Sequence, residues 1–312
     1  MSATLKSAKS IPAEVSSGKP PARGWMRLSP PWLISILITL ILALGQWRYQ
    51  IIGGSGLGGV DRLVVALGLA MALEALLGLV VRGRVPALQS AYVSGISATL
   101  LTKPASGVLW PVAFVAMLAI ASKYALTYRG RHLWNPTNFG VCCMLLIAPQ
   151  SMSILGSDLG NELGTNLVIW SVGLVIAWRA KILHVTLTYL IAFVVFALLR
   201  SSITHVPPLI EIAPVTGPMY QLFLFFMVTD PRTTVSTRQG RILVAILIAA
   251  MECAIRLGND YDMQSVALFR SAPPMFALTI VGPAAMLLDL WRTAAPGGTA
   301  TTSAAVPPVS LR

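Results

Sequence analysis

Three carboxylates stand inside long apolar runs of this 312-residue chain: Glu74, Glu252 and Asp289. If those runs cross a membrane, a charge at the bilayer centre costs about 2.5–3.5 kcal/mol on insertion scales. Each acid must then face a bundle interior, a cavity or a partner. Glu74 has no basic neighbour on its own run before Arg82, two turns on, so its partner must come from another helix, an ion or water. The chemistry this allows is the passage of a proton or cation, which makes Glu74, Glu252 and Asp289 candidates for an ion path. The competing reading is a protonated or locally paired carboxylate that fixes helix packing, and for Asp289 an interfacial place beside Trp291 and Arg292.

Two polar breaks offer a different chemistry. Residues Arg129 to Gly140 precede an apolar run and include His132, Asn135, Pro136 and Thr137. Asn135 can cap a helix and Pro136 suits its first position, so the free amides of that first turn suit an anionic or electron-rich ligand. An ordinary helix start at the membrane interface explains the same residues. His132, between Arg131 and Trp134, reads as a headgroup contact before it reads as a ligand or proton carrier. The second break is Thr229, Asp230 and Pro231. Three cysteines, with Cys142 and Cys143 adjacent, supply neither a disulfide framework nor a spaced metal motif. P-loop, dinucleotide and hydrolase-triad signatures are missing, which argues against a soluble enzyme acting alone.

The elements that must position these residues are helices in lipid. Hydrophobic residues make up 55% of the chain and charged residues 11%, too apolar for a soluble surface. The net charge of +12 comes from lysines and arginines scattered singly between apolar runs, a topology pattern and not a nucleic-acid face. The expected fold is an all-α polytopic membrane protein of about ten helices. The spans read as 32–51, 63–81, 86–101, 109–126, 139–149, 167–178, 182–199, 219–228, 242–257 and 274–291. Several fall short of the ~20 residues a crossing needs, so they extend into flanking residues or belong to broken helices. Residues 1–28 and 293–312 read as disordered tails around a membrane domain at 29–292. With the amino terminus cytoplasmic, 17 of the 23 lysines and arginines fall on that side, which puts both termini in the cytoplasm of a multi-pass cell-membrane protein. Thr102-Lys103-Pro104 and Thr229-Asp230-Pro231 close the third and eighth spans, a weak sign of two five-helix inverted repeats at about 32–150 and 166–291.

On these residues the chain resembles the NqrB/RnfD family, which includes the B subunit of the sodium-pumping NADH:quinone reductase and the D subunit of the Rnf electron-transport complex. The likeness is carried by Glu74 with Arg82 and Arg84, by Ser97 to Pro104, and by Lys123, Gly130, Asn135 and Pro136. It continues through Met227 to Pro231, Gly240, Ile255 with Arg256, and Gly282 to Asp289. The wording of Tyr128 to Gly140 is most similar to the stand-alone UnbU-like branch of enediyne gene clusters. The resemblance implies a membrane subunit that handles electrons and a flavin, FMN or riboflavin, beside redox partner subunits. Its motif residues Lys123, Asn135, Pro136, Thr137, Thr229, Asp230 and Pro231 are the candidates for holding the flavin. Family members with covalent flavin attach it to a threonine in a Ser-Gly-Ala-Thr motif after the fifth helix. Here that loop offers Glu162, Leu163, Gly164 and Thr165, and the other echo, Ser94 to Thr99, is split by an insertion, so any flavin is expected to be noncovalent. A small-solute or ion transporter on the same fold, or a scaffold subunit, are the alternatives.

Overall fold

The computed structural model describes residues 30–49, 60–105, 108–154, 163–230 and 232–293. Among them the α-helices are α1 (Pro30–Tyr49), α2 (Val60–Arg82), α3 (Gln89–Leu101), α4 (Trp110–Ala125), α5 (Pro136–Ile147) and α6 (Leu163–Arg179). They continue with α7 (Leu183–Thr204), α8 (Pro208–Ile212), α9 (Pro218–Phe226), α10 (Arg238–Asp260) and α11 (Pro273–Arg292). The chain is an all-α polytopic membrane protein. Helices α2, α7, α10 and α11 are long and apolar enough to cross a bilayer, and the bent pair Pro208–Thr216 with Pro218–Phe226 makes a fifth such span. Apolar stretches of 10–17 residues in α1, α4, α5 and α6 are shorter.

One short span belongs to a broken helix. The eighth, 219–228, is the second arm of a broken element whose first arm is α8 and the 3-10 turn Ala213–Thr216, with 65° between the arms. Pro207, Pro208, Pro214 and Pro218 lie along it, and each lacks the N–H that a continuous helix would use. The break lies before the span, not within it.

Helix α2 shows how the bundle closes. Arg62, Ala66, Ala70, Glu74 and Gly78 form its buried stripe at four-residue spacing, while Val64, Leu76, Leu79 and Val80 stay exposed on the lipid-facing sides. Small residues along the stripe let neighbouring backbones approach. A methyl added at Gly95 of α3 would stand 2.8 Å from the Leu67 Cα, and one at Gly140 of α5 would stand 2.6 Å from the Val115 carbonyl oxygen of α4. In the first half α1 packs on α3, α2 on α3 and α4, and α4 on α5; in the second α6 packs on α9, α7 on α10, and α10 on α11. The halves meet where α1 touches α6 and α5 touches α11.

Two antiparallel pairs tie the loops. Strand β1 (Thr102–Pro104) pairs with β4 (Met152–Ile154), and β2 (Thr127–Tyr128) pairs with β3 (Arg131–His132). The second pair turns through Arg129 and Gly130, both at positive φ, as a two-residue type I′ hairpin turn requires. That hairpin carries His132 toward the start of α5.

Candidate functional site

Packing α2 against α4 supplies the partner that Glu74 lacks on its own helix. The Lys123 ammonium lies 3.3 Å from Glu74 Oε2 and donates to Ser90 Oγ at 3.0 Å. The Tyr124 hydroxyl donates to Glu74 Oε1 at 2.9 Å, and the Arg82 guanidinium covers the Tyr124 ring 4.8 Å from its centroid. Glu74 and Lys123 are both buried. Lys123, a flavin candidate by motif, is thus first of all the counterion of Glu74. Tyr124 and Ser90 escaped sequence reading, because an ordinary tyrosine and serine near helix ends carry no local signal.

The two polar breaks meet. Asn135 caps α5 by accepting the Asn138 amide at 3.1 Å, and its own amide group donates to Asp230 Oδ2 at 3.2 Å. Asp230 in turn accepts the Arg232 backbone N–H at 3.0 Å, which folds the loop after α9 back on itself. Around this contact Arg131 donates to the Thr234 carbonyl at 2.6 Å, Trp134 to the Thr279 carbonyl at 3.0 Å, and Asn138 to the Met275 carbonyl and the Thr279 hydroxyl. Loop 126–135 is thereby clamped between the loop after α9 and helix α11.

His132 sits half-buried in this clamp, with its Nδ1 buried and without a partner. Burial pushes the imidazole below its usual range; Asp230 opposes that shift, while Lys123, Arg232 and Arg82 reinforce it. His132 therefore feels both the Lys123 end of the first cluster and the Asp230 end of the second. Pro136 occupies the first turn of α5, and Thr137 is buried beside it. Thr229 is also buried, its hydroxyl spent on the Phe225 carbonyl at 2.5 Å. Pro231 lies outside the described residues. Asp289 is not brought to Glu74: its carboxylate accepts the Ser236 amide and hydroxyl, each at 2.9 Å, and fastens α11 to the loop before α10.

Glu252 belongs to a separate cluster. Its Oε2 accepts the hydroxyls of Tyr189 and Tyr220 at 2.5 and 2.6 Å, and its Oε1 accepts Arg256 Nε at 2.8 Å, one helical turn on. The tyrosine oxygens are 2.9 Å apart. Tyr189 comes from α7 and Tyr220 from α9, so three helices converge on one fully buried acid. Beyond it, Arg200 pairs with Glu211 and, at 3.1 Å, with Asp260. Both tyrosines went unmarked in the sequence; a phenol inside an apolar run was the only signal, and it is a weak one.

No group of three or more His, Cys, Asp or Glu residues among the described residues is arranged to hold a metal ion. Burial separates the adjacent thiols: Cys142 is covered and receives the Thr279 hydroxyl at 3.2 Å, while Cys143 is half-covered. No curated protein matches the chain. A family model does match, that of the NQR2, RnfD, RnfE family, over residues 155–268. Thr229, Asp230, Gly240, Glu252 and Arg256, which bring one side of the junction and the second buried acid into place, all fall within the stretch that this family model matches.

Proposed function

We propose that the chain is an electron-transport subunit of a membrane redox complex, holding a noncovalent flavin at the junction of Asn135 and Asp230 and linking its redox state to ion movement at Glu74. The observation that carries this reading is the hydrogen bond from Asn135 to Asp230, which joins two helix breaks 95 residues apart beside a half-buried, unpartnered His132. Irregular backbone of this kind is tolerated at membrane depth where it lines a site.

The donor set suits the polar edge of a flavin ring, which presents carbonyl and ring-nitrogen acceptors and one N–H donor. His132 Nδ1 and Asn138 Oδ1 are buried polar atoms in search of such partners. Lys123, Asn135, Pro136, Thr137, Thr229, Asp230 and Pro231 remain the residues proposed to surround the ring. The flavin would supply one- and two-electron chemistry. The chain supplies the charge balance: negative charge added at the junction draws on Lys123, and Glu74, loosened from its counterion, takes up a proton or cation. Glu74 alone carries the proposed ion step; Glu252 and Asp289, the other acids in apolar runs, are held by Tyr189, Tyr220 and Arg256 and by Ser236.

The broader placement follows from the same residues. The order of helix packing in both halves supports two five-helix inverted repeats, and the basic-residue bias supports cytoplasmic termini in the cell membrane. Reporter fusions at Pro20 and Ala300 falling on opposite sides would refute that topology. The wording of Tyr128 to Gly140 supports a place beside the stand-alone UnbU-like branch, with a redox partner protein as electron donor.

Spectra of the purified protein before and after acid precipitation test the flavin. The expected result is a flavin spectrum that stays with the supernatant, together with a co-purifying redox partner. A colourless protein that binds neither added FMN nor added riboflavin overturns it. The buried Glu74–Lys123 pair would serve an ion transporter without cofactor, and ion uptake by liposomes holding the colourless protein alone would put that reading in its place. Unimpaired function after changing Glu74, Asn135 and Asp230 would leave only a scaffold.

A further inference from the structure

A cleft of about 350 Å³ opens between the far ends of α7 and α10 and the start of α11, at the opposite end of α10 from the Asp230 loop. Arg200, Tyr220, Arg256, Asn259, Asp260 and Arg270 line it. Its cations are only partly used. Arg256 holds Glu252 through Nε, and its two Nη groups make no hydrogen bond among the described residues. Arg270 is held by one Nη on Asp262 at 2.9 Å and is otherwise exposed. Arg200, by contrast, is committed to Glu211 and Asp260. Asn259 Oδ1 is a buried acceptor with no donor. The cleft therefore offers two guanidinium edges for an anion and one orphaned acceptor for an N–H or O–H. A planar guanidinium fork matches a carboxylate, and a buried carbonyl without a donor favours a ligand that brings one.

We infer that this cleft is a binding site for a small soluble carboxylate bearing a neighbouring hydroxyl or amino group, with the carboxylate on Arg256 and Arg270 and the donor on Asn259 Oδ1. The site is independent of the flavin reading, since it lies at the other end of the bundle and shares no residue with the junction. A hydroxy or amino acid satisfies both halves of the cleft at once; acetate satisfies only the cationic half, and phosphate, which brings a P–OH but no planar carboxylate for the guanidinium groups, is the competing anion.

Calorimetric titration of the full chain in a non-ionic detergent tests the site, with L-lactate, L-serine, acetate, inorganic phosphate and phosphatidylserine in mixed micelles as probes. Saturable binding of lactate or serine is expected, about tenfold tighter than acetate. Arg270→Gln, a change at an exposed side chain, should weaken it about tenfold without altering the unfolding temperature, and Asn259→Leu should erase the preference over acetate. Silence from both soluble acids overturns the site, as does binding that Arg270→Gln leaves unchanged. Phosphate binding more tightly than either acid overturns the carboxylate class. Binding of phosphatidylserine alone identifies a lipid-headgroup contact and overturns the soluble ligand.

Discussion

Glu74 and Glu252 lie at similar depth, each about two turns from the end of its helix, which closes at Arg82 for α2 and at Asp260 for α10. They are neutralised in contrasting ways. Glu74 faces a lysine from another helix at 3.3 Å and one tyrosine hydroxyl at 2.9 Å. Glu252 is saturated by an arginine on its own helix and two tyrosines, all within 2.8 Å. Lysine is a compact charge on a flexible stem that can shed its partner, whereas arginine fixed one turn away in the same helix moves only with that helix. The first arrangement is built to change and the second to hold. Burial of an acid in a membrane bundle is therefore not itself a mark of function; the freedom of its counterion is.

The largest expected effect tests the holding side. Glu252→Leu strands two buried phenols and a half-buried arginine, a loss on the order of 3 kcal/mol, read as a lowered unfolding temperature in detergent. An unchanged unfolding temperature breaks the contrast. Next comes the pair built to change. Lys123→Met should cost about 2 kcal/mol, since Glu74 keeps Tyr124 and can accept a proton, and adding Glu74→Gln should recover at least about 0.5 kcal/mol of it in a double-mutant cycle. In activity, Glu74→Gln should impair more than Glu74→Asp, because only aspartate keeps the charge. A Gln variant with full activity and unaltered pH and sodium dependence makes Glu74 structural.

Smaller in stability, but decisive for the junction, are Asn135→Ala and Asp230→Ala. Each removes two hydrogen bonds, the shared one and either the α5 cap or the Arg232 turn, together worth about 1–2 kcal/mol, and should abolish the proposed electron transfer while membrane insertion stays intact; normal activity in both sinks the junction as a site. The smallest effect is at His132. Burial lowers its folded pKa below the unfolded value near 6.5. Its contribution to stability is therefore fully present above about pH 6.5 and is lost as pH falls through the folded pKa. His132→Gln should flatten the fall of unfolding temperature below neutral pH, and an identical slope in variant and wild type removes His132 from the cluster.

The reach of the sequence is visible residue by residue. The apolar runs marked the helices, because in lipid every backbone group must be satisfied within its own segment and composition alone announces that segment. Asn135 and Pro136 announced the start of α5, since capping and the missing proline N–H are local properties. The cost of a buried charge predicted that Glu74 had a partner elsewhere. The front arm of the broken span was not legible, because α8 and its 3-10 turn are too short to show a period.

What the sequence by itself determined is the membrane class, the helices and the identity of the residues that lipid would not tolerate alone, all of them consequences of solvent and local backbone chemistry. Which of those residues meet was settled by helix packing alone. Lys123 reaches Glu74 across 49 positions, Asn135 reaches Asp230 across 95, and Tyr189 reaches Glu252 across 63. Contacts at such separations depend on which small-residue stripes lie against one another and in what register, and no single segment carries that information.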